Sequence, residues 1–171
     1  MHEAISNSST LIHLAAIGRL DLLKKFHDKI IIPPAVWREV VEEGRSRPGA
    51  QEVKKAREHG WIDIVTPEDH RLLQLLRSQL NEGEAEAIAL AIERKAKTLF
   101  LDETEGRAVA DIYDLQKSGV IGVLIRAKLQ GEISSLKREL TRLRNKAGFW
   151  IEEKLYQQVL RSVGEKPESD V

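Results

Sequence analysis

Short apolar runs alternate with stretches of helical spacing along most of this chain. Lys29-Ile30-Ile31-Ile32 is a β-branched run stopped by Pro33-Pro34. Such a run reads as a strand buried on both faces, as in a parallel sheet. Trp61 to Val65 alternates and reads as a further strand, at a sheet edge. Thr98-Leu99-Phe100-Leu101 reads as the next strand, closed by Asp102, and Val120-Ile121-Gly122-Val123 as the last. Residues Ala4 to Asn7 make a poor strand, because His2, Glu3 and Ser6 are polar.

Helical spacing fills the intervals. Leu11, Ile12, Leu14, Ala15 and Ile17 follow a Ser-rich turn that begins at Ser6, and Gly18 ends that segment. Asp21 caps a short second helix through Phe26. Pro34 suits the first turn of a helix holding Val36, Trp37, Val40 and Val41. Helices are also expected over Ala50–His59, Pro67–Leu80, Ala85–Lys95 and Gly106–Leu115. The third of these is small and apolar throughout, so it should lie buried against the sheet. After Val123 the chain is helical, with Leu136, Leu140 and Leu143 on one face and a closing segment from Phe149 to Leu160. Strands alternating with helices imply an α/β domain whose mostly parallel sheet is covered on both faces.

Composition narrows the function. The 171 residues suit one domain, expected over 1–164, with residues 165–171 as a disordered tail. Twenty-seven basic residues balance 27 acidic ones, so any nucleic-acid contact has to come from a local patch. The absence of cysteine excludes disulfides, thiolate metal sites and cysteine nucleophiles. No apolar run reaches the length of a membrane span and no signal peptide is visible, so a cytoplasmic protein is expected. Gly-x-Gly-x-x-Gly, P-loop and Gly-x-Ser-x-Gly motifs are absent.

Ligands of parallel sheets bind beyond the carboxyl ends of the strands. The polar residues expected there are Asn7, Glu39, Glu84 and Asp102, with Glu103 and Glu105 just behind. Converging carboxylates repel one another unless a cation sits between them. Oxygen ligands without histidine or thiolate suit Mg²⁺ or Mn²⁺. Each residue also has a plainer reading. Asn7 fits a helix cap, Asn81 to Glu84 and Asp102 to Glu105 have capping-box spacing, and Glu39 fits a solvated helix face. The functional case rests on the set.

The phrases Asn7-Ser-Ser-Thr-Leu-Ile-His-Leu-Ala, Ile32-Pro-Pro-Ala-Val-Trp-Arg-Glu39-Val, Gly83-Glu84-Ala-Glu-Ala-Ile-Ala-Leu-Ala and Leu101-Asp102-Glu-Thr-Glu-Gly-Arg107 resemble PIN-domain proteins. They are most similar to a subfamily related to VapC-type toxins. Gly119 to Lys128 and Ala147 to Tyr156 are similar to it too, so the resemblance runs from residue 5 to about 164. It implies a three-layer sandwich with about five strands, and a metal-dependent ribonuclease acting through metal-activated water. On that resemblance Asn7, Glu39, Glu84 and Asp102 hold Mg²⁺ or Mn²⁺, with Glu105 as a fifth ligand. Glu39, Glu84 and Asp102 are its catalytic carboxylates. Expected partners are RNA, an antitoxin and a second copy of the chain.

The sequence departs from the family at Asn7, where PIN nucleases usually carry aspartate. An amide oxygen can still ligate, but a full charge is lost. At 4 Å and an effective dielectric near 20, one unit-charge pair is worth about 4 kcal/mol as an upper figure. The alternative is therefore a catalytically weak or inactive module that binds RNA or protein. A phosphatase needing a nucleophilic Asp-x-Asp is disfavoured, since that place reads Asn7-Ser8-Ser9. Arg107 is placed to pair with the acidic cluster or to meet a substrate phosphate. Lys137, Arg138, Arg142, Arg144 and Lys146 make one helix basic, which reads first as a solvated face and second as a phosphate contact. His13 reads as structural, and Trp37, Trp61 and Trp150 as core or dimer contacts.

Overall fold

Side chains leave opposite faces of a strand in turn, so a strand apolar at every position needs a core on each side. The computed structural model, which describes residues 3–102 and 104–167, has that arrangement. Strands β1 (Glu3–Ser6), β2 (Lys29–Ile32), β3 (Ile62–Ile64), β4 (Thr98–Phe100) and β5 (Lys117–Ser118) form one sheet in the order β3-β2-β1-β4-β5. All four neighbouring pairs are parallel. Ala4, Ile30, Ile32 and Phe100 enter one core, while Ile5, Ile31, Leu99 and Leu101 enter the other. Fully burying one such isoleucine contributes about 1.5–3 kcal/mol.

Helices α1 (Ser8–Ala16), α2 (Asp21–Phe26), α4 (Ala50–Glu58), α8 (Val120–Leu129), α9 (Leu136–Ala147) and α10 (Glu153–Ser162) supply the first core. Helices α5 (His70–Arg77), α6 (Glu82–Glu93) and α7 (Thr104–Ile112) supply the second. The short α3 (Pro34–Trp37) runs into a π-helical turn over Arg38–Glu42. As expected, α6 is buried along nearly its whole length and β3 is an edge strand.

Two expectations are corrected. Glu3–Ser6 is a strand, and it occupies the centre of the sheet. Its polar residues are satisfied: Glu3 takes a hydrogen bond from Arg94 at 2.9 Å, and the buried Ser6 hydroxyl donates to the Asn7 carbonyl at 2.9 Å. The run from Val120 to Val123 is not a strand. It opens α8, and the last strand is the polar pair Lys117–Ser118 just before it. Val120, Val123, Leu124 and Ala127 lie at helical spacing on the buried face, so packing overrides the β-branching of the two valines.

Helix α9 ends at Gly148, whose φ of +63° lets the Phe149 amide turn back to the Leu143 carbonyl at 3.2 Å. Glu139 on α9 is 1% exposed and sits between Arg19 and Arg142, each at 2.9 Å. This ties the α1–α2 turn to α9. Arg144 lies over the Tyr156 ring at 5.3 Å, so two of the five bases noted on α9 serve internal contacts, while Arg138 and Lys146 are exposed.

Of the tail expected over 165–171, residues 168–171 lie outside the described residues, while Glu165 is engaged. The Glu165 carboxylate accepts from the amides of Leu136 at 2.6 Å and Lys137 at 3.1 Å, capping α9. Partial burial pushes its pKa up, but those two amides and Lys128 outweigh this and hold it below the ordinary value. Its contribution to stability is therefore present above the unfolded carboxylate pKa and lost as pH falls through the folded one. Glu165→Gln should lower unfolding stability by about 1 kcal/mol at pH 7. In urea titrations at several pH values, that difference should vanish in acid.

Candidate active site

The strand order reverses beside β1, because the chain builds outward to β2 and β3 before returning to lay β4 on β1's other side. Such a switch point opens a crevice at the carboxyl ends of the strands. Asn7 follows β1 directly, and its amide donates to the Phe100 carbonyl of β4 at 3.0 Å. Asp102 lies two residues past the end of that neighbouring strand. The two expected site residues thus flank the crevice.

The first turns of α1 organise the acids around it. Asn7 is the residue before α1 and is 2% exposed, yet its side chain makes no capping hydrogen bond, so the plain cap reading does not describe it. The Ser8 hydroxyl donates to Glu39 Oε2 at 2.7 Å. The Thr10 hydroxyl donates to Asp102 Oδ2 at 3.0 Å, and His13 Nδ1 lies 3.0 Å from the same oxygen. A carboxylate only accepts, so Nδ1 carries the proton in this contact. The Val120 amide, in the first turn of α8, donates to Asp102 Oδ1 at 3.0 Å. Asp102 is thus held from two helices.

Glu39 lies in the π-helical turn and is exposed apart from its contact with Ser8. Glu84, 5% exposed, lies in the first turn of α6. There it completes the capping box expected from sequence: the Asn81 side chain accepts from the Glu84 amide at 2.9 Å, and Glu84 Oε1 accepts from the Asn81 amide at 3.3 Å. Capping and a place at the site coexist in this residue. Glu86, two residues further along α6 and also buried, accepts from the Ala35 amide at 3.3 Å, and burial pushes its carboxyl pKa up.

Three glycines show how closely backbone approaches these oxygens. A Cβ at Gly83 would stand 3.4 Å from both Asn7 Oδ1 and Glu39 Oε2, which places those two side chains together. A Cβ at Gly106 would stand 2.9 Å from Glu84 Oε2, and one at Gly119 would collide with Asp102 Oδ1. Arg107 donates from Nη1 to the Leu101 carbonyl at 2.7 Å and sits close to Gly119, so it lies beside Asp102 and is anchored to backbone. The Glu105 side chain lies outside the described residues. Among the described residues, no three His, Cys, Asp or Glu side chains gather tightly enough to hold a metal ion by themselves.

A cleft of about 580 Å³ opens beside this edge, lined by Asp102, Arg107 and Lys117 and by the α9–α10 link from Phe149 to Glu152. A family model described as a PIN domain matches residues 3–165. The chain belongs to the PIN-domain family. PIN domains are in general nuclease-like, bind nucleic acid and use divalent metal ions. A comparison with curated proteins returned no match. No helix among the described residues is long and apolar enough to cross a membrane.

Several residues of this PIN domain's acidic edge escaped sequence reasoning. Ser8 and Thr10 read as part of the turn that starts a helix and His13 as structural, although Thr10 and His13 lie three apart on one side. Trp150 was expected in a core or at a dimer contact, but it is 80% exposed at the cleft, so the core half of that expectation is corrected. Trp37 and Trp61 do pack partly buried against the core.

Gly119→Ala should drive the Asp102 carboxylate off the Val120 amide and destabilise the fold by about 1–3 kcal/mol. Chemical denaturation measures the loss, and a crystal structure of the variant should show Asp102 turned away.

Proposed function

We propose that this chain is a metal-dependent ribonuclease of the VapC-like kind, hydrolysing a phosphodiester with metal-activated water. One observation carries the reading: Asn7 and Asp102 follow the two strands that flank the switch point of a parallel sheet, and Gly83 lies against Asn7 and Glu39 as Gly106 does against Glu84. Asn7, Glu39, Glu84 and Asp102 would hold Mg²⁺ or Mn²⁺, with Glu105 as a further ligand, since hard cations take oxygen donors. The described carboxylates do not form such a site by themselves, so the set counts on the Asn7 amide and on Glu105. Bound there, the cation would lower the pKa of water and offset charge on the phosphate.

The chain's own residues do the rest. Thr10, His13 and the Val120 amide fix the orientation of Asp102, and the capping box fixes Glu84. Arg107, tethered to the Leu101 carbonyl, is placed to meet a phosphate oxygen. An antitoxin partner, a homodimer and a cytoplasmic setting belong to the same reading. A second reading, a module that binds RNA or protein without cutting, is favoured by the neutral Asn7.

The test is a labelled mixture of structured RNAs incubated in Mn²⁺, in Mg²⁺ and in chelator. Cleavage should need the metal and should fall to the chelated level in Asp102→Asn and Glu84→Gln. Undiminished cleavage by both variants would overturn the site assignment. Binding without cleavage by the folded protein would favour the second reading. Asn7→Asp should raise apparent Mn²⁺ affinity several-fold, because even a quarter of one unit-charge interaction is about 1 kcal/mol.

A further inference from the structure

The cleft beside Asp102 is lined in a way that the acidic site does not explain. Its cations are Arg107, and Lys117, which is itself paired with Asp111. Its other side chains include Phe149, Trp150 and Leu155 from the α9–α10 link and the start of α10. Trp150 is 80% exposed and Leu155 42%. A solitary exposed leucine needs no explanation, but a nearly bare indole beside a charged cleft does.

The backbone that carries this indole is firmly held. On one side the Phe149 amide is bonded to the Leu143 carbonyl, and the Phe149 ring meets His13 edge-on at 4.9 Å. On the other side Ile151 is 6% exposed. His13 in turn is one of the residues that contact Asp102. The link is therefore pinned to the acidic edge through Phe149, while Trp150, the next residue, faces water.

We propose that Trp150 is a stacking platform for an unpaired base of the RNA, one whose neighbouring phosphate lies at Arg107, beside the acidic site. The inference rests on the ribonuclease reading. Every base offers a π-face to an aromatic ring, and the phosphates between bases need cations within the same groove. A volume of about 580 Å³ suits a ligand of nucleotide size. A base within a duplex has both faces covered, so the platform selects single strands, loops or ends.

The test uses Asp102→Asn protein, to suppress cutting, with a short oligouridylate and, separately, an RNA duplex. The oligouridylate should quench the emission of Trp150, which is the one largely exposed tryptophan of three. Trp150→Ala in that background should weaken oligouridylate binding by about tenfold, as for loss of one base–aromatic stack. Trp150→Phe should recover most of the affinity, and duplex affinity should be the same with and without the indole. In the cleaving protein, Trp150→Ala should raise KM far more than it lowers kcat. Unchanged oligouridylate binding in Trp150→Ala, or an equal loss for duplex, would overturn the proposal. So would a variant that binds RNA normally but loses self-association in sedimentation, since the indole would then serve a copy of the chain. Trp150-dependent binding without any cleavage would uphold the platform while refuting the nuclease, so the two failures stay distinct.

Discussion

The hydrogen bond from the Asn7 amide to the Phe100 carbonyl closes the sheet at its turning point, and the site depends on it. It extends the pairing of β1 with β4 by one residue, so that β1 ends where α1 begins. Because α1 starts there, its first two turns face neighbours on both sides. Ser8 reaches Glu39, beyond β2, and Thr10 and His13 reach Asp102, beyond β4. A slip of one residue in β1 would send its side chains to the opposite core and rotate these donors away from their acceptors.

Holding several acids at one edge has a cost that the surroundings offset in different ways. Asp102 is satisfied by a hydroxyl, a ring nitrogen and an amide, whereas Glu84 shares in a helix cap and Glu39 faces water. At the most enclosed of the positions, Asn7, the chain carries no charge. This distribution fits a folded protein that is stable without a cation, since buried like charges would otherwise destabilise it.

Much of the fold was legible because periodicity reports burial directly. Ile30 to Ile32 announced a strand covered on both faces, and the apolar run of α6 announced a buried helix. The misreadings have a common cause. In β1, a single-residue view marks Glu3 and Ser6 as exposed, although each finds its partner through tertiary structure. In α8, local β-propensity favoured a strand, but contacts at Val120, Val123 and Leu124 select the helix. For the site, the carboxylates could be named from position, since residues after strands and at helix starts converge in a parallel sheet. Their hydroxyl and imidazole partners could not, because pairings such as Thr10 with Asp102 span 92 residues. The bare indole of Trp150 was illegible for the opposite reason: sequence gives tryptophan an apolar character and says nothing of which few are left uncovered.

Glu139, enclosed between Arg19 and Arg142, joins the helix pair at the front of the chain to α9, which leads into the link bearing Trp150. Separating such a buried carboxylate from both arginines would leave an uncompensated charge, so the joint resists opening. The acidic edge and the indole are joined a second time through Phe149, whose ring meets His13, the neighbour of Asp102. On the proposed reading, the protein would act as a ruler, with the cut falling at a constant offset from the base it grips.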